Sequence, residues 1–168
     1  MIEELFKAAQ SGDITRLKEL LAEKPELANT ENADGLTPLG YAAHFGQAAA
    51  VKLLLEAGAE VNAVSHSKIA YIPSNTALHA AIAGERDLGV IRLLLAGGAS
   101  ASIPDSDGHT ALHTAAYHAD SVDIIRLLLE HGADIQAEAG GATALALAKS
   151  RGNDQVAELL ERHANRAS

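Results

Sequence analysis

No cysteine and no tryptophan occur among the 168 residues, methionine occurs once, and Phe and Tyr together make up 3%. Without cysteine there is no disulfide framework, no thiolate zinc site and no cysteine nucleophile, although the redox compartment stays open. With so few rings, a core must be assembled from Leu, Ala, Val and Ile, which favours closely packed helices over a β-sandwich. Basic residues are also scarce: 13 Lys and Arg stand against 22 Asp and Glu, for a net charge of −9. That sign opposes the counterion release that drives nucleic-acid binding, so neither nucleic acid nor an anionic membrane is expected as a partner. No stretch reaches eighteen uninterrupted apolar residues, and the start MIEELFKAAQSGD has acids at Glu3 and Glu4 but no basic n-region or apolar h-region. The expectation is a cytoplasmic protein. Its 48% hydrophobic content is ample for a packed core.

What the chain does have is a repeat. LTPLGYAAHFG, NTALHAAIAGE, HTALHTAAYHA and ATALALAKSRG align on Thr37, Thr76, Thr110 and Thr143, at spacings of 39, 34 and 33 residues. Each is followed by an aliphatic run: VKLLLEAGA, IRLLLAGGA, IRLLLEHGA and VAELLERHA. A weaker copy, LFKAAQSGDITRLKELLAEKP, opens the chain in the same phase, so five units of roughly 33 residues account for nearly all of it.

Each unit reads as two helices. Thr can cap the free N–H groups of the first, and Pro38 suits a first turn that needs no donor. The pairs Ala8–Ala9, Ala42–Ala43 and Ala115–Ala116 let neighbouring helices approach closely. Leu triplets at 53–55, 93–95 and 127–129 are expected to fill the space between layers, and Gly58, Gly98 and Gly132 to end the second helix in a left-handed turn. First helices are expected at 2–11, 38–46, 77–84, 111–118 and 144–151, and second helices at 14–23, 48–57, 87–96, 121–130 and 154–162.

These residues resemble the ankyrin repeat family, whose pattern is approximately DxxGxTPLHxAAxxG, then V-x-x-LL, then GA. The fourth unit carries it best, from Asp105, Asp107 and Gly108 through Thr110, Leu112, His113, Ala115 and Ala116 to Gly132 and Ala133. The resemblance covers the full length. It implies an all-α ankyrin-repeat solenoid of about five helix-turn-helix units with β-turn fingers, curved, and monomeric when alone. A single domain over 1–168 is expected, with units near 1–33, 34–66, 67–106, 107–139 and 140–168 and the insertion near 65–74. The first unit, ending in Lys24–Pro25, and the last, with Ala146 in the histidine position, read as caps. Units three and four hold one extra residue between their helices, and Ala119 replaces a helix-ending Gly, so a wider turn is expected there. Near 65–74, SHSKIAYIPS replaces the DxxG turn and reads as an insertion.

Eight histidines invite a metal reading, and His109-x3-His113 has helical ligand spacing. However, His79 and His113 occupy the histidine of the TPLH pattern, where the resemblance implies a structural hydrogen bond, and His109 precedes the helix. Asp105-Ser106-Asp107-Gly108 begins like a calcium loop, but the position that needs Glu is Ala116. No phosphate loop, GxSxG elbow or HExxH helix is present. Glu56, Glu130 and Asp134 read as solvated surface. No cofactor, metal or catalytic residue is expected.

The function expected is non-catalytic: binding of a partner protein through a concave face and fingers, since the repeats leave no separate catalytic domain in this sequence. The residues expected to touch the partner are His44, Phe45, Tyr117, His118, Ser150 and Arg151 after the Ala pairs, with Leu36, Asp107 and His109 at fingertips and Tyr71 and Ile72 in the insertion. Phe45 and Tyr117 either anchor the partner or pack between inner helices. The insertion either contributes specificity or is passively tolerated, with no structural gain to the stack. The alternative is a small-molecule or metal-dependent function that uses His44, His118 and His66.

Overall fold

A computed structural model describes residues 1–167. Among them are ten α-helices: α1 (Ile2–Ser11), α2 (Ile14–Glu23), α3 (Pro38–His44), α4 (Ala48–Glu56), α5 (Ala77–Ala83), α6 (Leu88–Ala96), α7 (Ala111–His118), α8 (Val122–Glu130), α9 (Ala144–Arg151) and α10 (Asp154–Ala167). A 3-10 turn spans Pro25–Asn29, and the extended pairing found among the described residues is one isolated bridge, Ala139–Ala142. Odd- and even-numbered helices pack in consecutive pairs.

The backbone divides into two compact units, Met1–Ala99 and the residues from Ser100 onward. In the first, the inner helices α1, α3 and α5 pack in sequence order, as do the outer helices α2, α4 and α6. In the second, α7 packs on α9 and α8 on α10.

Local chemistry accounts for where these helices start. Asp13, Thr37, Asp87, Ser121 and Thr143 each accept a hydrogen bond from the backbone N–H three residues on, satisfying a donor that the helix cannot. Thr76 and His79 form a reciprocal capping box at α5. The ends are equally local. After α4, the N–H of Ala59 bonds to Leu54 O and that of Gly58 to Leu55 O, a closure that places Gly58 at φ 95°. The same bonds recur at Gly98 and Gly132. α3 stops at His44, short of the expected residue 46, because Gln47 N–H already closes on Ala42 O. α10 runs past the expected residue 162, since nothing in ERHANRA breaks a helix.

The core is aliphatic, as the scarcity of rings requires. Ala9, Ala42, Ala43 and Ala116 are at most 1% exposed, which lets the inner helices meet closely. The Leu triplets are only partly core: Leu54, Leu94 and Leu128 are fully buried, whereas Leu53, Leu55, Leu93, Leu127 and Leu129 are half-buried. A helix cannot turn three successive side chains to one side, so the middle Leu takes the interior. The wide turns also appear. Ala119 is extended at φ −154°, and the connection after α5 places Arg86 at φ 56°.

Candidate functional site

The fingers are built on one turn used twice. Asn32 N–H bonds to Leu36 O, while Asn32 Oδ1 accepts from the N–H groups of Asp34 and Leu36 at 3.0 Å each. Asp105 repeats this with His109 O and with the N–H groups of Asp107 and His109, both at 2.9 Å. In each, an acceptor at the first position folds the chain over itself, and Gly35 or Gly108 supplies the positive φ. Asp105, Asp107 and His109 bring one donor atom each to within 4.8 Å of one another. Asp105 is 9% exposed and its Oδ1 is already taken by two N–H groups. Asp105 Oδ1 thus serves the turn, while its Oδ2 lies 3.9 Å from His109 Nδ1.

The two TPLH histidines are buried and bonded. His79 Nδ1 lies 2.8 Å from the Thr76 hydroxyl, and His113 Nδ1 lies 2.9 Å from that of Thr110. His113 Nε2 also reaches Ala142 O at 3.0 Å, joining α7 to the turn before α9. Other braces between successive repeats were not anticipated from sequence. Asn29 bonds through Nδ2 to Gly58 O and through Oδ1 to Glu60 N–H, Asn62 Nδ2 donates to Gly98 O, Gln47 Nε2 to Gln10 O and Asn153 Nδ2 to Ala116 O. The 33-residue interval from Asn29 to Asn62 is the signal that could have exposed two of them.

The residues expected at a binding face fall into small groups. At the end of α3, His44 is exposed and the following Phe45 half-buried, their rings 5.0 Å apart. Phe45 also meets Tyr41 at 5.2 Å, and Tyr41 meets Phe6 edge-on at 5.2 Å, a ladder that sequence reasoning missed. On α7, Tyr117 is 44% exposed beside exposed His118, and the Arg151 guanidinium of α9 lies over the Tyr117 ring at 4.4 Å. Exposed Ser150 donates its hydroxyl to Leu147 O of its own helix. Leu36 is half-buried, Asp107 exposed and His109 intermediate.

The insertion is tied down rather than free. Its His66 and Lys68 N–H groups bond to Gly35 O and Asp34 O of the preceding finger, at 2.9 Å each. Ser65 and Asn75 close its base through Ser65 N–H to Asn75 O at 2.9 Å and Asn75 N–H to Ser65 Oγ at 3.0 Å. His66 Nδ1 lies 2.5 Å from Glu31 Oε1. The approach is so close that a Cβ on Gly35 would fall 1.9 Å from His66 O. The expectation of no structural gain is therefore corrected: the loop extends the finger by backbone pairing. At its tip, Ile72 N–H turns back to Ile69 O, Ile72 is half-buried and Tyr71 is 85% exposed.

Electrostatically, the perturbed groups lie away from these residues. Arg16 bonds to Glu4, holding that carboxyl below its ordinary range and raising the guanidinium, which also contacts Glu19 at 3.0 Å. No helix among the described residues is long and apolar enough to cross a membrane.

Curated relatives match parts of this chain. Palmitoyltransferase akr1 of Emericella nidulans is 35% identical over 68 residues, 40% of this chain and 9% of that protein. A transient receptor potential cation channel subfamily A member 1 homolog of Caenorhabditis elegans is 40% identical over 58 residues, 34% of this chain and 5% of that protein. The neurogenic locus Notch protein of Drosophila melanogaster is 39% identical over 79 residues, 47% of this chain and 3% of that protein. The chain thus spans under a tenth of the length of these relatives. A family profile described as ankyrin repeats (3 copies) matches residues 5–105 and again 78–167. With paired helices, DxxG-type fingers and bonded TPLH histidines in place, the chain belongs to the ankyrin repeat family.

Proposed function

We propose that this chain is a non-catalytic interaction module that holds a partner protein against the exposed ends of its inner helices and its finger loops. The observation that carries this reading is where its few rings are spent. A chain with three tyrosines leaves Tyr117 44% exposed and Tyr71 85% exposed, each at the end of an otherwise ordered element. In α7, the exposed residues are Tyr117 and His118, while Ala111, Leu112, His113, Ala115 and Ala116 are buried. Rings presented on a rigid support are suited to partner anchoring, because little side-chain freedom is lost on contact. Leu36, His44, Phe45, Ile72, Asp107, His109, Ser150 and Arg151 complete the proposed contact set. Ankyrin repeats are typically protein-interaction modules. Catalysis is no part of the proposal: the same repeats match a palmitoyltransferase, a cation channel homolog and Notch, whose names share no activity.

The test is a binding measurement with a partner captured from a lysate of the source organism. Phe45→Ala and Tyr117→Ala should each weaken binding by more than about 1 kcal/mol and lower stability by less. Normal affinity combined with much earlier melting would assign both rings to packing and remove them from the face.

A further inference from the structure

The inner helices α3, α5, α7 and α9 contain no Asp or Glu, in a chain that carries 22. In the unit from Ser100 onward, the last turns of α7 and α9 instead present Tyr117, His118, Lys149 and Arg151, all exposed. The negative end of a helix dipole explains a preference for cations there. It does not explain the Arg151 guanidinium lying 4.4 Å over the Tyr117 ring.

Surrounding charges single out Arg151. Lys149 is neutralised by Glu161 at 2.6 Å. Glu158 faces Arg162 at 3.9 Å, Asp120 accepts the Val156 N–H at 2.9 Å, and Asp154 lies in the first turn of α10, where the dipole favours an anion. Arg151 makes no ion pair among the described residues. A guanidinium held over a ring is positioned in advance, and its five N–H donors match the two oxygens of a carboxylate.

We infer that Tyr117 and Arg151 form a receptor for an Asp- or Glu-bearing segment of a partner polypeptide, the guanidinium taking the carboxylate and the ring the adjoining apolar stem. The occupant is argued from charge complementarity: with Lys149 already neutralised by Glu161, the Arg151 guanidinium on helices that carry no carboxylate of their own selects an acidic segment over a basic one. The inference rests on the interaction reading above and names the partner's chemistry at that face.

A random peptide library selected against the full chain tests it, with Arg151→Glu and Tyr117→Leu variants in parallel and circular dichroism confirming that each keeps its helices. Peptides retained by the unaltered protein should be enriched in Asp and Glu, and on Arg151→Glu the enrichment should vanish or invert toward Lys and Arg. The best peptide, resynthesised, should bind Arg151→Ala about tenfold more weakly, with Arg151→Lys in between. Acidic enrichment that survives Arg151→Glu overturns the receptor. Retained peptides that are apolar or basic, and compete at the inner-helix ends, overturn it while leaving the interaction reading in place. Displacement of the peptide by inorganic phosphate as readily as by glutarate also overturns it, because the site would then be a general anion site. Retention of no peptide at these residues counts against both readings.

Discussion

Replacing His113 with Ala removes one buried side chain, strips the part-buried Thr110 N–H of its partner and takes one of two donors from Ala142 O, which keeps the Ala139 N–H at 2.9 Å. The imidazole is 1% exposed; its Nδ1 lies 3.2 Å from Thr110 N and 2.9 Å from the Thr110 hydroxyl, and its Nε2 lies 3.0 Å from Ala142 O. The contacts assign the tautomer. Nδ1 faces a backbone N–H and must accept, so the proton is on Nε2 and is donated to Ala142 O. A net hydrogen bond is worth about 0.5–1.5 kcal/mol, and a buried group left unsatisfied costs about 1–3 kcal/mol. The Thr110 hydroxyl can rotate to another partner and Ala142 O keeps the Ala139 N–H, but the Thr110 N–H has no second acceptor among the described residues. One unsatisfied N–H and one lost hydrogen bond, with the cavity left by the ring, give an expected destabilisation of about 2–4 kcal/mol. Urea denaturation would measure it, and hydrogen exchange would locate it, since amides of α7 and of the turn before α9 should lose protection first. His113→Gln can restore one of the two bonds and should recover part of the loss. A cost below about 1 kcal/mol for Ala, or equal losses for Gln and Ala, would refute this reasoning.

Arg86 holds φ 56°, a conformation that costs an L-residue about 1–2 kcal/mol, so Arg86→Gly should stabilise the fold by about 0.5–1 kcal/mol after the added flexibility of Gly in the unfolded chain. A urea midpoint that falls would show that the Arg86 side chain makes a contact worth more than the strain. The Glu4 carboxyl is held below its ordinary range by the Arg16 hydrogen bond and then by its charge, so its stabilisation is present above that range and is lost as pH falls through the folded-state value. The advantage of the unaltered protein over Glu4→Gln should therefore be seen at neutral pH and shrink in acid; an advantage that grows in acid reverses the assignment. Replacing residues 65–74 with a short DxxG-type turn should lower partner affinity at least about tenfold, as expected of a specificity loop. It should also cost about 1–2 kcal/mol of stability through the lost bonds to Gly35 and Asp34, and unchanged melting would mean that those bonds contribute nothing.

Much of the fold was legible because its determinants are local. Thr37, Thr76, Thr110 and Thr143 mark four inner-helix starts, and nine of the ten helix ends fall within two residues of their expected positions. What escaped depended on neighbours or on the absence of a signal. Pro25–Asn29 forms a 3-10 turn that buries Leu27 and Ala28, although its sequence lacks the Gly–Ala signature used elsewhere. Arg86 adopts a glycine-like conformation because the extra residue after α5 must be accommodated while Glu85 N–H bonds to His44 O. The insertion was recognisable from its length, but its pairing with the preceding finger was not. Backbone hydrogen bonds leave no mark on side-chain pattern, and the one clue was Gly35, whose missing Cβ permits the contact.

The proposed face was legible only as positions along a repeat, and position alone treats unlike residues alike. Counting from the capping threonine, Tyr117 aligns with His44 and Ser150, whereas Phe45 aligns with His118 and Arg151. One turn before Phe45 stands Tyr41, a half-buried ring 5.2 Å away, so Phe45 has a packing partner on its own helix. One turn before Tyr117 stands His113, buried and committed to Thr110 and Ala142. Beyond its neighbour His118, Tyr117 meets solvent and Arg151, the latter a contact set by the packing of α7 on α9 and invisible in either segment alone. Both truncations should weaken binding more than stability, but Phe45→Ala, which disturbs the Phe6–Tyr41–Phe45 ladder, should cost more stability than Tyr117→Ala, which removes a surface ring.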